Sequence, residues 1–540
     1  MVLEVVANDK GGIKMSRIKL PTNDVEQASY YNEDEPNDVV YLSKHNTQLT
    51  DPELVKIYRK ICEIAPPGYI NYVADEIGIS EIFTDTHIDM LRYCEKHKKW
   101  YIYENGRWVV DTSEMRVHNK VQVLLRLLEL YCDESQKDLS EYKKTVRKCM
   151  SDPIIRRILH NSRFKMMVDA TDFDSDPYLL NCTNGVYNMR DKSFRFATPD
   201  DLFTLSTACY YPHAYQKQRC EEWEQFISDI MENDTDKALF LQRALGYSLL
   251  GINREECMFV AYGKTRAGKG TLFNTIAKIL GMNSDKGYSG TINSAFICYN
   301  KYKDKDYNAA QPMLAETVGL RYVTMSETKE GAVLDANGVK SITGRDPLQT
   351  RRLHCEPFIF TPQFTMWLST NSLPKVTDNT VFKSDRIWVI EFNKHFDKEE
   401  RNRDLSDIFM QEENQAAIFR WLLDGYEMYA EQGLNPPPCI IEATERYERQ
   451  NDVIMCFKDD CLEDAPGERV SNALMYNQYK SWCIDEERGY RPMGSTTFYG
   501  KLSKYYTRVD SHGFRGFEGV KIKAERLDNS NVIHFGTKNT

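Results

Sequence analysis

Residues 257–280, CMFVAYGKTRAGKGTLFNTIAKIL, carry the spacing of a phosphate-binding loop. Gly263 and Gly268 are separated by four residues, and Lys269 follows directly. Glycines at these positions let backbone N–H groups converge on phosphate oxygens, and the lysine neutralises the β- and γ-phosphates. The apolar run before the loop predicts a strand, and the amphipathic run after it predicts a helix whose N-terminus faces the same anion. The expected ligand is ATP.

The residue after the loop lysine departs from the usual pattern. A serine or threonine normally stands there and holds Mg²⁺, whereas this chain has Gly270 followed by Thr271. Two arrangements stay open. Either Thr271 takes over the metal contact after a small shift, or Mg²⁺ relies more on water and on an acidic residue further along the chain. We therefore place Gly270 and Thr271 in the predicted nucleotide site, with Thr271 as a candidate metal ligand.

Two polar residues follow apolar runs that predict strands. Glu327 comes after LRYVTMS, and Asn371 comes after FTMWLST. Nucleotide hydrolysis requires an acid that polarises water and a polar group near the γ-phosphate, and ligands bind at the carboxyl ends of parallel strands. Glu327 is predicted to polarise the attacking water and to help hold Mg²⁺, and Asn371 to sense the γ-phosphate. Taken alone, each is also compatible with a solvated strand end or a turn.

Basic residues gather around a glycine-containing turn between these two strands. They are Lys340, Arg345, Arg351 and Arg352. In a ring-shaped motor such a turn can meet phosphates in the channel, although a solvated basic hairpin is the simpler interpretation. Arg386 stands just before the apolar run IWVIEF. An arginine there is a candidate to stabilise transition-state charge on a neighbouring subunit's nucleotide, and a surface ion pair is the alternative.

The surrounding pattern predicts an α/β protein of several domains. Strands and helices alternate from about residue 258 to residue 395, which is typical of a parallel sheet wrapped by helices. Helical periodicity covers DPELVKIYRKICEIA and THIDMLRYCEKH, and WYIYENGRWVVD predicts a hairpin. The predicted organisation is a polar N-terminal arm over 1–50, an α+β domain over 51–230, an ATPase core over 231–400, a helical linker region over 401–450 and a C-terminal domain over 451–540.

Composition limits the classes of protein that fit. The chain has 540 residues, 28% of them charged and 41% hydrophobic, which excludes wholesale disorder. No apolar run approaches the ~18–20 residues of a membrane span, and the N-terminus does not resemble a secretory signal. The 14 cysteines show no zinc spacing and predict reduced thiols in a cytosolic protein. The net charge of −10 means that nucleic-acid binding must rest on local basic patches.

The C-terminal segment contains such a patch. Two amphipathic runs predict helices, and GFRGFEGVKI predicts a hairpin. Lys501, Lys504 and Arg508 make this end locally basic and suit contact with DNA, although a plain packing domain is also compatible.

Several ordered blocks resemble superfamily 3 helicases of the poxvirus D5 and phage P4 primase-helicase type, over roughly residues 95–530. Besides the phosphate loop they are FDSDPYLLNCTNGVYNMR, LQRALGYSLLG, VTMSET, VKSITGRD, TRRLHCEPFIFTPQFTMWLSTNSLP and SDRIWVIEF. The resemblance implies an AAA+-like core, a preceding D5 N-terminal-like α+β domain, a winged-helix-like tail and a homo-hexameric ring. It also implies ATP-driven translocation on single-stranded DNA.

The resemblance also implies roles for single residues. Lys269 corresponds to Walker A, Glu327 to Walker B, Asn371 to the sensor and Lys340 to the motif that faces DNA. Family members often have paired arginines where this chain has Ser-Asp-Arg at 384–386, so Arg386 alone corresponds to the finger.

The sequence thus predicts a replicative DNA helicase of a virus, phage or mobile element that works on single-stranded and forked DNA in the host cytoplasm. Many relatives carry a primase-polymerase ahead of the helicase, so a separate primase or polymerase is the expected partner. The alternative is a nucleotide-switched initiator or packaging-type ATPase that binds DNA without processive unwinding. A monomeric kinase with a phosphate loop would leave Asn371, Arg386 and the basic tail unexplained.

Overall fold

The computed structural model describes residues 3–7, 13–17, 39–45, 47–67, 72–213, 216–298, 312–325, 332–352, 356–400, 402–484, 492–511 and 513–523. The chain divides into two compact units. The first comprises Met1–Ile88 and Ser113–Met166, and the second comprises Asp89–Thr112 and Met167–Thr540. No described helix is both long enough and apolar enough to cross a membrane. No group of acidic, cysteine and histidine side chains in the described ranges is arranged to hold a metal ion.

The first unit consists of two small antiparallel hairpins and five helices. Its elements are β1 (Leu3–Ala7), β2 (Ile13–Arg17), β3 (Val40–Leu42), β4 (Thr47–Leu49), α1 (Pro52–Ile64), α2 (Glu76–His87), α3 (Met115–Glu134), α4 (Ser140–Cys149) and α5 (Asp152–Ser162). Asp51 and Asp75 cap α1 and α2 by accepting hydrogen bonds from first-turn N–H groups. The amphipathic helices bury their apolar faces against one another, as the periodicity predicts.

Two three-stranded antiparallel sheets open the second unit. Their strands are β5 (Leu91–Cys94), β6 (Lys99–Glu104), β7 (Arg107–Asp111), β8 (Leu179–Cys182), β9 (Gly185–Asn188) and β10 (Ser193–Arg195). The predicted hairpin is confirmed as β6 and β7. The helix predicted over THIDMLRYCEKH is wrong beyond its first two residues, because α2 ends at His87 and 91–94 pairs with β6 and buries Tyr93 and Cys94. Tertiary pairing overrides the helical period there.

A five-stranded parallel sheet forms the centre of the second unit and confirms the predicted mixed α/β fold. Its strands are β11 (Met258–Tyr262), β12 (Ser289–Ile292), β13 (Tyr322–Met325), β17 (Thr365–Thr370) and β19 (Ile387–Glu391). They lie in the order β12, β13, β17, β11, β19. The strand before the phosphate loop therefore has β17 on one side and β19 on the other. The four strands other than β12 are rich in buried apolar residues, as parallel strands covered on both faces require, whereas β12 at the edge contributes Ile292.

Helices and short strand pairs surround this sheet. They are α6 (Glu221–Ile230), α7 (Thr235–Tyr247), α8 (Lys269–Leu280), α9 (Pro312–Ala315), β14 (Val333–Leu334), α10 (Ala336–Thr343), β15 (Leu348–Thr350), β16 (Phe358–Phe360), β18 (Lys375–Val376), α11 (Thr380–Lys383), α12 (Leu405–Phe409) and α13 (Glu412–Gln432). The core on one face of the sheet joins α6, α7, α8 and α13 around buried aromatic side chains such as Trp223 and Trp367.

The C-terminal part folds around a core of its own. Before it, α14 (Pro438–Asn451) packs on β19 and places Ala443 and Tyr447 in the core of the parallel sheet. The elements of the C-terminal part are α15 (Val453–Cys461), β20 (Leu462–Ser471), α16 (Asn472–Ile484), α17 (Ser495–Leu502), β21 (Thr507–Ser511) and β22 (Phe514–Ile522). The strands form an antiparallel sheet in the order β20, β22, β21. The sheet packs with α15, α16 and α17 around Phe457, Tyr479 and Phe498.

Candidate nucleotide site and basic surfaces

The glycine loop between β11 and α8 lies at the carboxyl edge of the parallel sheet. The backbone N–H of Gly263 donates to the carbonyl of Thr370 over 3.2 Å. A Cβ atom on Gly263 would come within 2.1 Å of the Phe392 carbonyl oxygen. Gly268 has a φ of +81°, and a Cβ atom added to it would lie 2.5 Å from Ile230 Cγ2. Both positions therefore require glycine, because the loop is held between the ends of β17 and β19 and against α6.

Lys269 and Asn371 meet beside this loop. The lysine side chain is buried, at 7% exposure. Its Nζ donates to the carbonyl oxygens of Gly263 and Lys264, the latter over 3.0 Å, and to Asn371 Oδ1 over 3.0 Å. Asn371 directly follows β17, the neighbour of β11. The sheet thus brings together two residues that are 102 positions apart.

Of the two candidate metal ligands, Thr271 lies within the described residues and Glu327 lies outside them. Gly270 and Thr271 lie in the first turn of α8, where Gly270 is exposed and Thr271 is half-buried. A Cβ on Gly270 would meet nothing within 4 Å. Glu327, the predicted acid, lies outside the described residues, which end at Met325 on this strand and resume at 332. The roles of Thr271 and Glu327 stay predictions.

Arg386 lies at the opposite end of the sheet from the loop. It directly precedes β19, whose first residue, Ile387, pairs with Met258 at the start of β11. Its Nη2 lies 2.8 Å from Glu256 Oε2, and its Nη1 donates to Thr343 Oγ1 over 2.9 Å. The side chain is 18% exposed. Because β11 separates Arg386 from the loop, this guanidinium does not reach the loop of its own chain, and its predicted role on a neighbouring subunit stays a prediction.

The basic segment after α10 divides into two parts. Lys340 Nζ donates to Thr380 Oγ1 over 2.8 Å. Arg345 donates to the carbonyls of Asn253 and Arg254 and lies 3.6 Å from Glu256. These two predicted DNA-binding side chains are therefore engaged within the chain.

The hairpin itself begins after Arg345. Strands β15 and β16 pair antiparallel. Arg351 and Arg352 follow β15 and are both exposed. The arginines rather than Lys340 thus occupy the hairpin, a distinction that the sequence spacing alone does not make.

The three basic residues predicted in the tail share one region. Lys501 lies in the last turn of α17, Lys504 follows it, and Arg508 lies on β21. All three side chains are exposed. The Arg508 guanidinium carbon lies 5.5 Å from the centre of the Tyr499 ring. Tyr499 is half-buried and packs on Phe498 and Phe517, so this guanidinium lies against the core of the C-terminal part.

A buried arginine supports the sheet and was not predicted. Arg321, which is 4% exposed, precedes β13 and donates to the carbonyls of Leu249, over 2.7 Å, and Leu179. Its guanidinium carbon lies 4.8 Å from the centre of the Tyr288 ring. Burial lowers the pKa of Arg321. Burial also raises the pKa of the Asp174 carboxyl, although hydrogen bonds from Thr204 and Leu205 and the charge of Arg321 act in the opposite direction.

Arg321 joins the segment FDSDPYLLNC to the parallel sheet through its hydrogen bond to the Leu179 carbonyl. The sequence showed that block, but an arginine in front of a strand has no local signal that separates a buried role from an exposed one.

Two family models match the chain. One described as "D5 N terminal like" covers residues 80–232, and one described as "Poxvirus D5 protein-like" covers residues 449–535. The predicted resemblance to D5-type proteins is confirmed. The D5-type matches lie on either side of the parallel sheet, so they do not themselves include Lys269 or Asn371.

D5-type relatives from several large DNA viruses and a virophage are similar to this chain. "Putative helicase L207/L206" of Acanthamoeba polyphaga mimivirus is 24% identical over 434 residues, which is 74% of this chain and 44% of that protein. "Putative helicase V13" of Sputnik virophage is 25% identical over 391 residues, 68% of this chain and 48% of that protein. "Primase D5" of Fowlpox virus is 23% identical over 259 residues, 45% and 31%. The chain spans less than half the length of these relatives.

Among solved structures, the one titled "The A form apo structure of NrS-1 C terminal region-CTR" aligns with 82% of this chain and 99% of that chain. The TM-score is 0.41 and the identity 14%, a level too low to argue from.

Proposed function

We propose that this chain is an ATP-dependent DNA helicase that works as a homo-hexameric ring on single-stranded and forked DNA. The observation that carries the proposal is the meeting of Lys269 and Asn371 at a glycine loop on the carboxyl edge of a parallel sheet. Strand β17 lies between β11 and β13, and this position brings the amide of Asn371 to the glycine loop. This arrangement supports an AAA+-like core, and the names of the D5-type relatives support the helicase assignment.

The loop residues fit a nucleoside triphosphate. Gly263 and Gly268 let the loop backbone lie against Phe392 and Ile230, where a side chain would clash. The partners of Lys269 Nζ include three neutral oxygen atoms, and a phosphate oxygen can replace such an acceptor. The first turn of α8 offers its N–H groups to the same anion. Asn371, next to Lys269, then orients the γ-phosphate or the attacking water through its amide.

Metal binding and water activation are assigned to Thr271 and Glu327 from their positions in the sequence. A bound Mg²⁺ would supply neutralisation of the charge that develops on the phosphates. Thr271 and Glu327 are the proposed ligands, and Glu327 is the proposed group that polarises water. Arg386 is proposed to act on the nucleotide of the adjoining subunit, and for this it must exchange Glu256 for a phosphate oxygen.

DNA contact is proposed at the hairpin and at the tail. Arg351 is exposed on the hairpin, and Lys501, Lys504 and Arg508 are exposed on the tail, which we propose to be winged-helix-like. Lys340 and Arg345 remain proposed contacts that would first have to leave Thr380 and the Arg254 carbonyl. Contacts to phosphates rather than to base edges imply little sequence preference and strong salt dependence. We further propose that a separate primase or polymerase is the partner of this chain and that it works in the host cytoplasm.

The test compares Lys269→Ala with Lys278→Ala, a matched lysine in the last turn of the same helix. We expect Lys269→Ala to abolish ATP hydrolysis and fork unwinding, and Lys278→Ala to keep both. Hydrolysis by the Lys269 variant would overturn the nucleotide-site assignment. ATP-dependent DNA binding by the native protein without unwinding of a fork would favour the alternative, a nucleotide-switched initiator or packaging-type ATPase.

The shared site between subunits has its own test. Arg386→Ala alone is expected to fold and to lose hydrolysis. Mixing it with the Lys269→Ala variant should restore part of the activity, because some interfaces then combine an intact loop with an intact arginine. An Arg386→Ala protein that hydrolyses ATP at the native rate would remove the finger assignment.

A further inference from the structure

The turn between β5 and β6 is a second basic element of the second unit. It contains Lys96, His97 and Lys98, all of which are exposed. Lys98 has a φ of +51°, which closes the turn. His97 Nδ1 lies 2.7 Å from the Tyr101 hydroxyl oxygen, so the ring is fixed against β6. The lysine charges are thereby presented at a defined place rather than on a long loop.

This turn contacts the β15–β16 hairpin through one aromatic ring. Lys96 Nζ lies 5.7 Å from the centre of the Phe358 ring, and the guanidinium carbon of Arg352 lies 5.7 Å from the same centre. Cations at this distance from an aromatic ring are attracted by it. The ring therefore holds a lysine from the turn and an arginine from the hairpin next to each other, although like charges repel.

The surrounding charges make the patch net positive. Lys286 is exposed close by, and its charge, with those of Arg352 and Lys96, adds to burial in lowering the pKa of His97. Four acidic side chains of the described residues border the patch. They are Glu95 in the turn, Asp285 beside Lys286, Glu356 on the hairpin, and Glu316, which lies 3.3 Å from Arg352. Five cationic side chains, those of Lys96, Lys98, Lys286, Arg351 and Arg352, outnumber them in a protein whose net charge is −10.

We propose that the β5–β6 turn, through Lys96 and Lys98, is a second phosphate-contacting element that continues the path of single-stranded DNA from the hairpin. The proposal rests on the proposed function and adds to it a site in the D5 N-terminal-like region. The juxtaposition at Phe358 carries it: two basic elements from distant parts of the chain are held together although their charges oppose this, and a bound polyanion removes that repulsion.

The turn also suits a strand that moves. Lysines contact phosphates as point charges without a fixed geometry, so each contact can pass from one phosphate to the next. The exposed Ile359, at 68%, lies on the hairpin between Phe358 and Phe360 and offers an apolar surface to unstacked bases.

The experiment measures binding of a fluorescein-labelled oligothymidylate as a function of salt. The test protein carries Lys96→Gln and Lys98→Asn, since asparagine tolerates a positive φ. The matched control carries Lys137→Gln and Lys148→Gln, two exposed lysines of the first unit. The slope of log K against log salt is negative, and loss of two contacts should reduce its magnitude by about 1.4. This reduction corresponds to about 25-fold weaker binding at 0.1 M salt. The control should keep the native slope.

A second variant and a second measurement separate the possible causes. Lys98→Asn alone leaves the Lys96 contact to Phe358 in place and should reduce the magnitude of the salt slope by about 0.7. ATP hydrolysis without DNA should be unchanged in both test proteins. A native slope in the double variant would overturn the proposed site while leaving the helicase proposal intact. Absence of oligothymidylate binding by the native protein would overturn both.

Discussion

The two ends of β11 hold their basic residues in different ways. At the carboxyl end, Lys269 is hydrogen-bonded to two carbonyl oxygens and to the amide oxygen of Asn371. At the amino end, Arg386 forms an ion pair with Glu256. A neutral acceptor can be exchanged for a phosphate at low cost, whereas a cation beside a carboxylate must first give up that partner. On the proposed function, the carboxyl end of β11 serves the nucleotide of its own chain, and Arg386 at the amino end serves the nucleotide of a neighbouring chain.

The strongest way to break this comparison is Asn371→Asp, which places a carboxylate beside Lys269. We expect ATP hydrolysis to fall by about 10²–10³-fold, because an ion pair then competes with the phosphates and the amide is lost. The expected signature is a raised KM for ATP together with a lowered kcat. The control is Asn371→Ser, which removes the amide without adding charge and should raise KM less. Equal KM values in the two variants would contradict the ion-pair explanation.

His87 sharpens the comparison, because it is a buried base with positive rather than negative neighbours. Burial and the charge of Lys120 lower the pKa of His87 to about 3, although its hydrogen bond with the Phe83 carbonyl acts in the opposite direction. Since the folded pKa lies below the unfolded value of 6.5, the unfolded chain binds the proton first. Stability is therefore complete above pH 6.5 and is lost between pH 6.5 and about 3, by about 1.4 kcal/mol per pH unit.

Hydrogen exchange of the α2 amides at several pH values measures this loss. The His87→Gln variant should lose most of the pH dependence in that range. If the variant and the native chain open with the same pH dependence, the histidine is not the titrating group.

Glu256→Gln tests the amino end of the strand. The variant leaves the mostly buried Arg386 without its carboxylate, and we expect about 1–2 kcal/mol lower free energy of unfolding in urea. Asp510→Asn, which removes the exposed partner of Arg515, should change the same quantity by less than about 0.5 kcal/mol. A ring that needs Arg386 in trans should keep its ATP hydrolysis in Glu256→Gln, because the guanidinium is then easier to release. Loss of hydrolysis with full stability would mean that Glu256 itself takes part.

The smallest expected effect concerns the magnesium position. A side chain at Gly270 meets no atom within 4 Å, so Gly270→Ser should fold normally and restore the usual hydroxyl after the lysine. We expect the Mg²⁺ concentration for half-maximal ATP hydrolysis to fall several-fold. Thr271→Val in the native background should raise it if Thr271 has taken over the contact. An unchanged Mg²⁺ dependence in both variants would leave water and the acidic residue as the metal's partners.

Local patterns predicted the parts of the site that neighbouring residues build. The loop glycines, the lysine and the helix after them follow one another in the chain, and their spacing alone reflects the geometry that phosphate binding needs. The hairpin of β6 and β7 was predictable for the same reason, since its Asn-Gly turn is local. The two family matches add the resemblance at both ends of the chain.

Contacts between distant residues decided the rest. The segment Leu91–Cys94, predicted as helix, forms strand β5 because pairing with β6 buries its apolar side chains and outweighs their helical spacing. The sequence suggested Lys340 and Arg345 as DNA contacts, but their hydrogen-bond partners come from α11 and from the segment before β11. Charge type is visible in a sequence, whereas the partner of that charge depends on the fold.

By itself, then, the sequence determined the glycine loop with its lysine, the alternation that builds a parallel sheet and the D5-type resemblance, because each depends on residues close together in the chain. Only the tertiary structure decided that Asn371 touches Lys269, that Arg386 holds Glu256 and that Lys96 shares a ring with Arg352. Strand order and hairpin packing set these pairs across about a hundred residues or more, and no local spacing encodes strand order.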